Sequence, residues 1–193
     1  VSSTFLDLEE HRRLLINAID RAQLKAVAME HDTAKAGVDV LGSSLEMVNE
    51  ASAYVGVISH RHGQVPKCPV RNPEGRSLTE LEFDEATRLE RPILLFIMGD
   101  AHPVTVADVE RDPEKAAKLD AFRERAKRMR VGSPIERVYA VFDSAEDFRV
   151  AAVQACAGLA THLASETPPP APPASPTRSQ ESVPEPPAFY AEP

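Results

Sequence analysis

The sequence predicts an α/β domain in which a five-stranded parallel sheet carries helices on both faces. Three observations predict it. Short apolar runs alternate with amphipathic segments of about 10 to 20 residues, the repeat of β-α units. The amphipathic segments open with helix-start chemistry. The chain has 193 residues, enough for one such domain of about 165 residues with a tail.

Residues 1–3, 24–29, 54–59, 93–98 and 137–142 read as the five strands. The first is short, because the chain opens abruptly on VSST without an initiator Met, and part of a first strand is expected to be missing. Asp7 with Glu10, Ser43 with Glu46, Ser77 with Glu80 and Asp143 with Glu146 each have the S/T/D-x-x-E form. In that form the cap and third-position side chains satisfy two orphan amides reciprocally. Asp112 followed by Pro113 opens another helix. Leu8, Leu15, Ile19 and Ala22 give the first helix an inner stripe, and Phe148, Ala152, Ala155, Leu159 and His162 do so for the last. Helices alternating with parallel strands in this way make a sheet of the flavodoxin-like kind, whose strand order the sequence does not show.

A net charge of −8 and a pI near 5.3 argue against holding nucleic acid or an anionic membrane by bulk electrostatics. The basic stretch RERAKRMR, 123–130, reads as the solvated end of a helix, where positive charge complements the dipole. Cys68 and Cys156 are too few and too far apart for a disulfide framework or a zinc motif, and fit a reduced, cytoplasmic setting. No apolar run approaches the roughly 20 residues that span a bilayer, and no signal-type segment is present.

The domain is expected over residues 1–165. Residues 166–193 hold ten of the 17 prolines and no glycine, and read as an extended linker or tail with polyproline II character. A linker there implies that this is the N-terminal module of a longer chain.

The stretch GRSLTELEFDEATRLERPILLF, 75–96, holds the most informative residue. On a helical wheel Glu82 falls with Leu78, Ala86 and Leu89, on the side that faces the core. A carboxylate placed there is paired, protonated or facing a polar cavity. Burial favours a raised pKa and the nearby helix N-terminus opposes it. Ligands of open parallel sheets bind at the carboxyl ends of the strands. Those ends are polar: Ser2, Ser3 and Thr4 after the first strand, Glu30, His31 and Asp32 after the second, Ser59, His60, Arg61 and His62 after the third, Asp100 and His102 after the fourth. The helix carrying Glu82 starts at the same edge, so Glu82 is expected to line a cleft. Loop histidines without fixed spacing do not make a metal motif, and no metal or resident cofactor is assigned. Neither a GxGxxG nor a GxxxxGK[ST] loop is present, nor a nucleophile elbow.

Three segments, VSSTFLDLEEHR, AYVGVISHRHG and GRSLTELEFDEATRLERPILLF, resemble domain-of-unknown-function family 4062 over about residues 1–164. This is a TIR-like domain found at the N-termini of STAND NTPase, WD-repeat and tetratricopeptide proteins. The resemblance implies a TIR-type flavodoxin-like fold within the wider group that includes nucleoside deoxyribosyltransferases. In NAD-cleaving TIR domains a Glu on the helix before the fourth strand lies four residues before a small residue. Glu82 to Ala86, E-F-x-x-A, matches that pattern, and the catalytic role carries over to Glu82. Ser3 and Thr4 occupy the place of the loop after the first TIR strand, and His60 and Arg61 belong to the family's HR-x-G element. The aromatic or Trp-Cys element that often precedes the TIR glutamate is here Ser77-Leu78-Thr79.

Two readings follow. In the first the module is a signalling or defence effector that cleaves NAD or a related nucleotide at its N-glycosidic bond. Glu82 faces the ribose, Arg61 steadies a phosphate, Ser2, Ser3, Thr4 and His60 complete the ligand site, and NAD is substrate rather than cofactor. In the second it is a non-catalytic interaction module that self-associates when attached C-terminal domains oligomerise.

Overall fold

The structure, a computed structural model, describes residues 1–4, 7–28, 39–128 and 138–166. Its elements in chain order are β1 (Ser2–Ser3), α1 (Glu9–Arg21), α2 (Val40–Glu50), β2 (Tyr54–Ile58), α3 (Leu78–Arg88), β3 (Ile93–Met98), a 3-10 turn (Val106–Asp108), α4 (Pro113–Lys127), β4 (Val138–Phe142) and α5 (Ala145–Glu166). The four strands form one parallel sheet in the order β1-β2-β3-β4.

β2 and β3 are buried along their whole length, as parallel strands covered on both faces must be. The pleat sends alternate residues to two separate cores. Leu94, Phe96 and Met98 join Val55 and Val57 under Leu15 and Ile19 of α1 and Phe148, Ala152 and Cys156 of α5. Ile93, Leu95 and Ile97 join Tyr54 and Ile58 on the opposite face, against Val48 of α2, Phe83 and Ala86 of α3, and Leu119 and Phe122 of α4. Helices on both faces of a parallel sheet are therefore present.

Among the described residues the sheet has four strands rather than five. Residues 24–28 run beside β1 without forming a strand, and the Val1 amine donates to the Val27 carbonyl at 2.5 Å. β1 pairs through only two residues, Ser2 with Gly56 and Ser3 with Val57, too few to template a ladder on its other edge. Met29, Glu30, His31 and Asp32 lie outside the described residues, as do Arg137, Met129 and Arg130 of the basic stretch, and the proline-rich 167–193.

The helix starts divide. Asp112 caps α4 by accepting from the amides of Glu114 at 2.9 Å and Lys115 at 3.3 Å, with Pro113 in the first turn. Ser77 caps α3 by accepting from the Glu80 amide at 3.3 Å, but the Glu80 carboxylate does not return to the cap. It binds Arg125 at 2.6 Å instead, because an ion pair with α4 outweighs a local amide. α2 begins four residues earlier than Ser43 implies, capped by Asp39. Ser144 rather than Asp143 caps α5, accepting from the Asp147 amide at 3.0 Å. Asp7 caps nothing: the N-cap of α1 is Leu8, with no side-chain hydrogen bond.

Two further expectations change. His162 is exposed, and the last inner turn of α5 is taken by Leu159 and Cys156, both in the core. The basic stretch is not simply solvated. Arg123 donates to the carbonyls of Ser59 at 2.9 Å and Met98 at 2.6 Å, closing the ends of β2 and β3. Arg125 pairs with Glu80 and Asp84 and lies over the rings of Phe83 and Phe122 at 5.6 and 5.5 Å, tying α4 to α3. Both cysteines are free, and burial pushes the Cys156 thiol up to about 11.

Phe148 has no solvent exposure and meets Phe96 and Phe142 edge-on at 5.2 and 4.8 Å. Phe148→Ala is expected to cost about 3–5 kcal/mol of unfolding free energy. Urea denaturation followed by circular dichroism checks this, and a loss below about 1 kcal/mol would show that the α1–α5 core is not packed as described.

Candidate functional site

Ser77 starts α3 at the carboxyl edge of the sheet, and the helix carries Glu82 inward from there. Glu82 is 8% exposed. Its two carboxylate oxygens each accept a serine hydroxyl, one from Ser2 on β1 and one from Ser44 on α2. Burial pushes the Glu82 carboxyl above its ordinary range, and the two serine hydroxyls oppose that shift by stabilising the charged form. Tyr54 packs nearby on β2 and its hydroxyl donates to the Thr79 carbonyl at 3.3 Å. Burial, then the Glu82 charge, raises the Tyr54 phenol well above its usual value.

Glu82 borders two cavities. One, of about 310 Å³, is mostly apolar and is walled by Val1, Ile19, Tyr54 and Leu159, with Ser44 beside the carboxylate. The other, of about 630 Å³, opens at the carboxyl edge of the sheet. It brings together five of the six residues expected there: Ser2, Ser3, Thr4, Arg61 and Glu82. Asp7, Arg12, Glu110 and Lys115 complete its polar walls.

The individual placements differ in kind. Ser2 and Ser3 lie within β1 rather than after it. Ser3 keeps a buried hydroxyl with no hydrogen-bond partner. Thr4 and Ser59 share a hydrogen bond at 3.2 Å, so the ends of β1 and β2 are linked. Arg61 lines the cleft while its guanidinium donates to the Ala107 carbonyl at 2.8 Å. Gly63 follows with φ +84, a conformation glycine adopts without steric cost, and a side chain there would meet Thr4 at 3.0 Å.

His60 is not brought to the cleft. Its Nε2 lies 3.2 Å from the Gly99 carbonyl, at the end of β3. His62 is buried with neither ring nitrogen hydrogen-bonded, and burial lowers its pKa. His102 pairs with His11 of α1, Nε2 to Nε2, at 3.2 Å. Burial, and then the His102 charge, lowers the His11 pKa. Among the described residues no group of three or more His, Cys, Asp or Glu is placed to hold a metal ion.

Sequence reasoning missed Ser44, Asp7 and Lys115 as site residues. Ser44 had a legible signal: with Leu41 and Val48 it forms the buried stripe of α2, a polar residue at a core position like Glu82 itself. Lys115 carried none, since a lysine in a first helical turn is ordinary.

A family model described as a domain of unknown function, DUF4062, matches residues 1–157. The chain belongs to the DUF4062 family. No curated protein and no solved structure matches it. The DUF4062 match runs from β1 into α5 and so includes Glu82, both of its serines and every polar residue named on the cleft wall.

A carboxyl whose pKa is raised by folding stabilises the protein fully below the ordinary glutamate value of 4.5 and loses that contribution as pH rises through its folded value. Glu82→Gln removes the titration. From pH 4 to pH 8 the melting temperature of the wild type is therefore expected to fall relative to that of Glu82→Gln. Thermal unfolding of both proteins in parallel across that range checks this, and a pH-independent difference would contradict it.

Proposed function

We propose that this DUF4062 domain is a TIR-like module of the flavodoxin type that cleaves the N-glycosidic bond of NAD or a related nucleotide through Glu82. One observation carries the reading: a buried carboxylate with a raised pKa borders a 630 Å³ cleft that also presents Arg61 and Lys115. A nucleotide suits that combination, with its phosphates toward the two cations and a ribose toward the acid.

The chemistry balances simply. The bond from the ribose anomeric carbon to the pyridinium nitrogen breaks, its electron pair leaves with neutral nicotinamide, and positive charge develops on the sugar. The Glu82 carboxylate stabilises that charge from a half-enclosed position where solvent screens it weakly. Water then adds to the anomeric carbon and releases a proton, for which a carboxylate of raised pKa is a competent acceptor. Ser2 and Ser44 fix the carboxylate's orientation without neutralising it. In this reading attached C-terminal domains assemble the module, which acts as a signalling or defence effector once copies meet.

A non-catalytic self-association module is the second reading. Val104, Val106 and Val109, all exposed within the loop between β3 and α4, favour it as an apolar contact surface.

NAD consumption by the chain fused to an oligomerising tag tests the proposal. Turnover is expected, and Glu82→Ala is expected to lower it at least ~100-fold while circular dichroism shows both proteins folded. A folded, oligomeric wild type that consumes no NAD would refute catalysis and leave the interaction module.

A further inference from the structure

Asp7 has the sequence signature of a helix cap and does not act as one. It sits one residue before the N-cap of α1, in D-x-x-E spacing with Glu10, yet neither carboxylate oxygen accepts an amide of the helix. Both oxygens are buried and neither makes a hydrogen bond. The Ser3 hydroxyl is also buried without a partner. Both residues line the 630 Å³ cleft. An acceptor buried without a partner is costly, and a position where local chemistry is set against the global fold marks a functional constraint.

Within the cleft the two carboxylates are in opposite states. Each Glu82 oxygen already accepts one serine hydroxyl, from Ser2 and from Ser44, whereas neither oxygen of Asp7 accepts any. A carboxylate with two vacant oxygens suits a group that offers two neighbouring donors, and a vicinal diol is such a group. It also repels an anion placed on that diol.

We infer that Asp7 and Ser3 form a second subsite of the cleft, which receives the 2′,3′-diol of a ribose and excludes its 2′-phosphate. This rests on reading the cleft as a nucleotide site. Glu82 faces the ribose at the scissile bond, Arg61 and Lys115 face the pyrophosphate, and Asp7 reads the adenosine ribose. The ligand class is thereby narrowed to NAD-type dinucleotides without a 2′-phosphate.

Calorimetric titration of the full chain with ADP-ribose and with 2′-phospho-ADP-ribose tests this without requiring turnover. The wild type is expected to bind ADP-ribose at least tenfold more tightly than the phosphorylated analogue. Asp7→Asn is expected to weaken ADP-ribose about tenfold and to remove most of the discrimination. Asp7→Ala, which deletes an acceptor that no hydrogen bond within the fold uses, is expected to keep or raise the melting temperature. The inference is overturned if wild type binds neither ligand, if Asp7→Asn binds both as wild type does, or if Asp7→Ala unfolds at clearly lower temperature. Binding that depends on Asp7 in a protein that never consumes NAD would instead uphold the subsite and refute only the catalysis.

Discussion

The buried Glu82 carboxylate, held between Ser2 and Ser44, is the interaction on which the rest of the site depends. A carboxylate on the inner face of a helix cannot be left unpartnered, since desolvation without hydrogen bonds costs several kcal/mol. Its two partners come from different elements, so satisfying one side chain fixes β1, α2 and α3 relative to one another. β1 has only two paired residues, and the Ser2 hydroxyl gives it an anchor that its short ladder does not. Ser2 of β1 and Glu82 of α3 line both cavities and form the boundary between them, with Ser44 of α2 on the side of the smaller one. The charge that defines the site thus also positions the walls around it.

On the other side of α3 a second polar system acts in the same direction. Arg125 joins Glu80 and Asp84 to α4, and Arg76 reaches Asp84 at 2.6 Å from the loop before α3. Ion pairs this exposed add modest stability singly, but they share partners and lie partly over aromatic rings, which lowers the ordering cost of each. Arg123 closes the carbonyl ends of β2 and β3 at the edge where the cleft opens. α3 is held from both flanks, its acid-bearing face toward the cleft and its ion-paired face toward α4. This is the support a site needs if its central group is to stay within hydrogen-bond geometry.

Much of this was legible in the sequence because it follows from periodicity and burial. The run ILLFIM could be buried on both faces only in a covered parallel sheet, and Glu82 among Leu78, Ala86 and Leu89 could only point inward. The errors arose where tertiary contacts overrode local signals. Residues 24–28 have strand composition but only a two-residue neighbour to pair with. Glu80 has capping spacing but a stronger partner in Arg125. His60 shares a loop with Arg61 but turns to the Gly99 carbonyl. Asp7 has the D-x-x-E spacing of a cap, but the N-cap of α1 falls one residue later, at Leu8, and the Asp7 carboxylate accepts none of the helix amides. Ser44 could have been found by applying to α2 the wheel that exposed Glu82 on α3.

The protonation behaviour of Glu82 is the property that joins fold, site and proposed chemistry. It can be read directly from the carboxyl carbon resonance of Glu82 across a pH titration, assigned by comparison with Glu82→Gln. The predicted result is a midpoint clearly above the ordinary glutamate value of 4.5 that moves when ADP-ribose fills the cleft. A midpoint at the ordinary value, unmoved by the ligand, would mean that the carboxylate is neither desolvated nor facing the cleft.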